Sequence, residues 1–428
     1  MSLPARRLVL TVVAAGACAI GARGAAGAAE PGETMAKEGG AQMSPIYALE
    51  VLGGQNFYTG QTAILSGDFK GLAAPAVKLN GNWSLLPILQ TDFTGTRQVL
   101  DLVGGGSLFQ SEWNNQASLK AIYTPDNSLW RLKPYASFKY EFLRAAPDER
   151  LGRGLYDYYQ WEAGADAEYV YHDPFAINFG VDYYQVHFPN YKSLESQAAT
   201  SAGGQSLARE LVGDYVLDTQ NVLASASVNG RLGGPVIVEA TAAGLYQNFP
   251  NQHLVDASGS LESPLRQDIL TIYGAGLRLP QQWQENVKSL GFLNLGYTYD
   301  SSSQNSFDAA ETRYLPHFYN YGELKVNPGV QLFLGPEKRP VEWDLSGTFW
   351  WRRYPHRNIQ DPTGLYLNDA LWTDSWMAQT TLRYPMAEHF KLVFNVQYGQ
   401  EISNQQYTAL YQYSYRTATY MFGFSYDY

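Results

Sequence analysis

Six histidines are spread along a chain of 428 residues: His172, His187, His253, His317, His356 and His389. His172 and Asp173 form the one adjacent His–Asp pair, and such a pair can polarise a water for hydrolysis. The pair sits in a tight HDP turn, and the topology argued below puts that turn on the face away from the long loops. No GxSxG elbow for a nucleophilic serine occurs. No HExxH and no Cys/His cluster with zinc-ligand spacing occurs either. No catalytic, cofactor-binding or metal residue is assigned, and neither an enzyme activity nor a cofactor is expected.

The other chemistry on offer is charge held in rows. In YYQWEAGADAEYVY, Glu162, Asp166 and Glu168 alternate with Tyr159, Trp161, Ala163, Ala165, Ala167, Tyr169 and Tyr171. RLKPYASFKYEF sets Lys133 and Lys139 against Leu132, Phe138, Tyr140 and Phe142. VEWDLSGTFW sets Glu342 and Asp344 against Val341, Trp343 and Leu345, and FKLVFNVQY places Lys391 opposite Phe390 and Leu392. Period two is the signature of a strand with one apolar and one polar face. FAINFGVDYY, PVIVEATAAG, DILTIYGAGLRL and LGFLNLGYTY read alike. Any one segment would suit a soluble sandwich as well.

Composition favours strands throughout. Charged residues are 16% of the chain, below the usual quarter, while Tyr numbers 32 and Gly 40. The start, MSLPARRLVLTVVAAGACAIGARGAAGAAE, has a basic pair, a short apolar run and an Ala-x-Ala choice at Ala26–Ala28. That is the layout of a secretory signal peptide over residues 1–28. Its removal takes Cys18, the single cysteine, leaving no disulfide. Losing Arg6, Arg7 and Arg23 takes the 30 basic residues to 27 against 40 acidic ones, a net charge of −13, which argues against a nucleic-acid partner. No later stretch is apolar for long enough to make a transmembrane helix.

The connections alternate in length. Backward from the C-terminus, short PMAEH, GPEKRP, PQQWQENV, NGRLGG, HDP and TPDN interleave with long segments such as NFPNQHLVDASGSLESPL and SSSQNSFDAAETR. Two distinct membrane faces require that pattern. Counting gives about 16 strands, within a range of 14–18. Two segments, 407–428 and 313–334, are long for one crossing, and the first is expected to be one bulged strand starting near Tyr407. HFPN (187–190), NFPN (248–251) and RYPH (353–356) each place a proline where an outward-running strand is expected to end; a shared ligand motif is the alternative.

The chain ends on YMFGFSYDY, with Tyr420, Phe422, Phe424, Tyr426 and Tyr428 at every second position. On these residues and the alternating strands upstream, the chain resembles Gram-negative outer-membrane β-barrel proteins over essentially all of its mature length. The resemblance implies an all-β, transmembrane antiparallel barrel over 44–428, preceded by a short periplasmic segment at 29–43. It further implies that the terminal strand is the signal read by the barrel-assembly machinery, with outer-membrane lipid around the barrel.

In such a barrel polar faces turn inward, because a charged side chain facing lipid at mid-bilayer costs roughly 2–4 kcal/mol for a base and somewhat less for an acid. Lys133, Lys139, Glu162, Asp166, Glu168, Glu342, Asp344 and Lys391 are therefore expected to line the lumen, either of an open pore or of a salt-bridged filled interior. The longest loop, PNYKSLESQAATSAGGQSLARELVGD, lacks a PEFGG-like element. Its SLARELVGDYV part is expected either to form a short helix with Lys192, Glu195, Arg209, Glu210 and Asp214 lining the lumen, or to be a solvated outer loop. The expected function is a passive channel for ions or small solutes. A barrel anchoring or gating a larger envelope assembly is the alternative, and a homo-oligomer or an envelope partner is compatible with both.

Overall fold

The computed structural model describes residues 42–59, 64–101, 106–144, 149–172, 175–192, 209–308, 311–407 and 413–428. The signal peptide expected at 1–28, nearly all of the 29–43 segment and Asp173 lie outside the described residues.

Sixteen long strands follow in order: β1 (Tyr47–Tyr58), β2 (Ile64–Ala73), β3 (Trp83–Asp101), β4 (Gly106–Tyr123), β5 (Trp130–Arg144), β6 (Tyr158–His172), β7 (Phe175–His187) and β8 (Thr219–Gly233). Then come β9 (Val236–Val255), β10 (Leu261–Gln284), β11 (Val287–Ser302), β12 (Tyr321–Leu334), β13 (Val341–Gln360), β14 (Tyr366–Pro385), β15 (Phe390–Ser403) and β16 (Tyr415–Asp427). Each pairs antiparallel with the next. β16 pairs with β1, so the sheet closes and keeps no free edge. At the seam Tyr428 N–H donates to Tyr47 O (2.9 Å), and Tyr47 N–H donates back to Tyr428 O (3.0 Å). Two short strands, Gln42–Ser44 and Ala76–Lys78, pair with each other.

Alternation within each strand decides which side chains meet what. Large apolar side chains stand exposed on the outer face, among them Phe138, Phe179, Val181, Ile269, Tyr273 and Phe422. Aromatics gather at two levels. Near the short turns are Trp83, Trp130, Tyr171, Trp283, Tyr384 and Tyr428; toward the long connections are Trp161, Tyr183, Tyr246, Tyr398 and Tyr420. Tyr420 and Tyr428 are eight residues apart, which is ~26 Å along a strand and ~20 Å along the axis at a tilt of ~40°. That approaches the ~25 Å apolar band of a membrane barrel with its flanking aromatic girdles.

Three local expectations are corrected. β16 begins at Tyr415, not near Tyr407, and its pairing with β15 runs from Tyr415 to Tyr426 without a register shift. The aromatic parity changes because Tyr415 turns inward and stacks on Tyr58 (5.0 Å between ring centres), so no bulge is needed. Segment 313–334 is, as its length suggests, more than one crossing: Arg313–Leu315 pairs with Ser306–Asp308 in a separate small hairpin, and β12 starts at Tyr321. HFPN does end β7, but β9 and β13 run on through NFPN and RYPH, with register shifts between Asn248 and His253 and between Tyr354 and Asn358. A proline withdraws one N–H from the ladder; here the pairing absorbs that as a bulge instead of stopping. The segments expected as long loops there are mostly strand, turning only at 256–260 and 361–365.

Candidate functional site: the inner wall and the outer mouth

Residues on β4–β7 that face away from the apolar exterior form a ladder of pairs. Lys133 Nζ lies 2.8 Å from Glu168, which Arg131 also approaches at 3.5 Å. Lys120 reaches Asp166 at 2.7 Å. Glu162 accepts from Ser137 Oγ (3.0 Å) and lies 2.8 Å from the Tyr135 hydroxyl, which is also 2.6 Å from Asp182. Lys139 lies 2.8 Å from Glu141 and 2.6 Å from the Tyr158 hydroxyl, which donates to Glu141 (2.7 Å). A second set spans β13–β16 and β1: Lys391 with Glu342 (3.0 Å) and Asp427 (3.2 Å), and Arg383 with Asp344 (2.5 Å) and Glu50 (3.7 Å).

All eight residues expected at the lumen thus stand on inward faces, but only Lys133–Glu168 and Lys391–Glu342 pair among themselves. Glu50, Lys120, Asp182 and Arg383 complete the set beyond the residues expected there. Their signal was available, because each stands between outward-facing apolar residues on the polar face of its own alternating strand.

The inner wall changes character toward the long connections. There, Leu143, Tyr158, Tyr184, Val186, Leu245 and Leu270 turn inward and are buried against Tyr156, Phe188, Tyr191, Leu211, Val216 and Leu217. The second group belongs to the β5–β6 and β7–β8 connections, so the described part of the longest loop folds into the mouth. This corrects the solvated-loop expectation for residues 209–218. The cause is hydrophobic: burying each large apolar side chain is worth about 1.5–3 kcal/mol. Arg209–Leu211 forms a single 3₁₀ turn, Glu210 is buried, and Lys192 pairs with Asp214 in an isolated bridge. Glu195 lies outside the described residues.

One buried cation ties the plug to the wall. Arg266 on β10 lies with its guanidinium 4.2 Å from the centre of the Phe249 ring and 4.4 Å from that of Tyr319. Its Nε lies 3.0 Å from both oxygens of Asp268, and it donates to Gln252 Oε1 (3.1 Å). Gln252 donates to the Glu210 carbonyl (2.9 Å), and the Tyr319 hydroxyl donates to the Glu210 carboxylate (2.7 Å). Next to Tyr319, Phe318 is covered by Arg357 from the RYPH bulge, 4.1 Å from ring centre to guanidinium. Two arginines therefore hold Phe318 and Tyr319, just before β12, at the mouth, and no local motif announces either contact.

Burial also sets the electrostatics of the connections. It pushes the Asp157 carboxyl up to about 6, although the N–H groups of Leu143 (2.7 Å) and Gly154 (2.9 Å) donate to it and pull the other way. Burial likewise raises the Tyr191 hydroxyl to about 12, and that hydroxyl donates to Leu211 O (3.0 Å).

Below the plug, water reaches the inner wall again. Ile272, Gly274, Gly276 and Arg278 are partly exposed, whereas Arg266, Asp268 and Leu270 above them on the same face of β10 are buried. The arrangement is a wet, charged vestibule narrowed at one end by folded connections.

No protein-family model matches the chain, and no curated protein matches it in sequence. Among solved structures it is similar to OmpT, an outer membrane protein of Vibrio cholerae, in its trimer form (9% identity, 91% of this chain and 99% of that chain, TM-score 0.42). It is also similar to the outer membrane protein opdK from Pseudomonas aeruginosa (9% identity, 90% and 99%, TM-score 0.41) and to OccAB1 of Acinetobacter baumannii (9% identity, 90% and 96%, TM-score 0.44).

Proposed function

We propose that the chain is an outer-membrane channel through which ions or small solutes diffuse passively, with its outer mouth narrowed by residues 188–192 and 209–218. The observation that carries this reading is the contrast along the inner wall, buried at the mouth and wet and charged beneath it. A ring of sixteen strands is wide enough to leave an aqueous path. On the inner faces of β1–β7, Glu50, Asp68, Asp92, Glu112, Glu141, Glu162, Asp166, Glu168 and Asp182 outnumber Lys70, Lys120, Arg131, Lys133 and Lys139, which favours cations. No catalytic step is part of this reading, since paired wall charges screen and select without a positioned nucleophile. Export by the 1–28 signal peptide and insertion through the terminal strand, Tyr420 to Tyr428, complete it.

Reconstitution of the purified, folded barrel into planar bilayers tests the proposal. Stepwise conductance with a cation-favouring reversal potential is expected. A folded, heat-modifiable barrel that conducts nothing and retains a stoichiometric envelope partner would instead favour the anchoring or gating role.

A further inference from the structure

The HFPN and NFPN segments, on β7 and β9, flank the start of β8 and meet around one small cavity on the outer rim. Its volume is about 180 Å³, below the ~300–1,000 Å³ of ordinary small-molecule pockets. A water needs roughly 10–15 Å³, so the space suits several waters or one ring in their place. Tyr159 and Trp161 supply its aromatic wall and Pro250 of NFPN another apolar side, while Gln185, His187, Asp218 and Gln220 supply polar groups.

The cavity is built, not incidental. The His187 ring lies between Tyr159 (5.0 Å) and Tyr215 (5.1 Å). Its Nδ1 is 2.5 Å from Asp218, whose other oxygen accepts from Phe188 N–H (2.9 Å). Tyr215 adopts a left-handed backbone (φ 59°), and its carbonyl accepts from the side chain of Asn251 of NFPN (3.2 Å). Both tetrapeptides thus contribute beyond breaking strand pairing.

The lining selects a ligand class. An anion would meet the Asp218 carboxylate. A metal cation would find a single carboxylate, already engaged by His187 and by a backbone N–H. Two primary amides, an imidazole and a carboxylate offer donors and acceptors in several directions, and the aromatic faces suit an apolar C–H surface. A neutral, polyhydroxylated ring carries both features. We propose that this rim cavity binds a single pyranose ring, stacked on Trp161 and Tyr159 and hydrogen-bonded by Gln185, Gln220 and Asp218. It opens at the level of the aromatics nearest the long connections, where such a ring arrives either as a free sugar or on a glycolipid head group.

The test uses the full-length folded protein with two probes and two variants, Trp161→Ala and Gln220→Ala, both exposed on the outer face. Methyl pyranosides (gluco, galacto and manno) are titrated by calorimetry in detergent. Separately, the protein in phosphatidylcholine vesicles is titrated with rough lipopolysaccharide. Saturable binding to either probe that both variants weaken at least tenfold, with heat-modifiable mobility retained, is expected. Binding of the glycosides assigns a free-sugar site, and binding of the lipopolysaccharide alone assigns a lipid-borne one. The proposal is overturned if the wild-type protein binds neither probe, or if binding is the same in folded samples of both variants.

Discussion

At the scale of single residues, Arg266 is the side chain on which the mouth turns. It is buried, stacked between two rings and paired with Asp268. Removing one partner of a buried pair leaves a charge without compensation, at a cost of about 3–5 kcal/mol. Arg266→Ala is expected to lower the thermal midpoint and to raise single-channel conductance, because the Gln252–Glu210 and Tyr319–Glu210 tethers lose their anchor. Unchanged conductance in a folded variant would remove the plug from the account. Asp157 provides a pH lever on the same mouth. Its pKa is raised by burial to about 6, so the docked connection holds the proton more tightly than a freed one. Its contribution to docking is fully present below about 4, the ordinary Asp value, and is lost as pH rises through about 6. Conductance is therefore expected to fall on acidification from pH 7 to pH 4.5, and Asp157→Asn to flatten that dependence. An acid-induced increase abolished by the same substitution would contradict the sign.

At the scale of elements, the seam between β16 and β1 makes the strictest demand. A Cβ on Gly423 would run into the carbonyl oxygen of Val51, and one on Gly54 into that of Tyr420. Gly423→Val is expected to block closure and abolish the compact, heat-modifiable form on electrophoresis. Gly244→Ala on β9, where a Cβ meets nothing within 4 Å, should leave that form intact. The strands themselves were legible because a membrane-facing surface forces strict alternation: Glu162, Asp166 and Glu168 needed only their parity to be placed inward. Strand ends were less legible. Pro250 and Pro355 look like terminators, but whether a ladder stops or bulges depends on the partner strand, which proline does not encode. The plug was least legible of all. Leu211, Val216 and Tyr319 are ordinary loop residues until distant strands present Leu245, Leu270 and Arg266 to them.

At the scale of the whole molecule, the proposed channel rests on a closed ring of sixteen strands with an apolar exterior and a charged interior. The acidic excess on the inner faces of β1–β7 predicts a reversal potential favouring cations. Replacing Glu162 and Asp166 together by Gln and Asn is expected to shift that potential toward anions while leaving the barrel folded. The central claim, a conducting lumen narrowed by its own folded connections, is tested most directly by single-channel recording of the wild-type protein beside Arg266→Ala. The account predicts discrete cation-favouring steps that grow in the variant. A folded barrel that gives no steps in either form would contradict it.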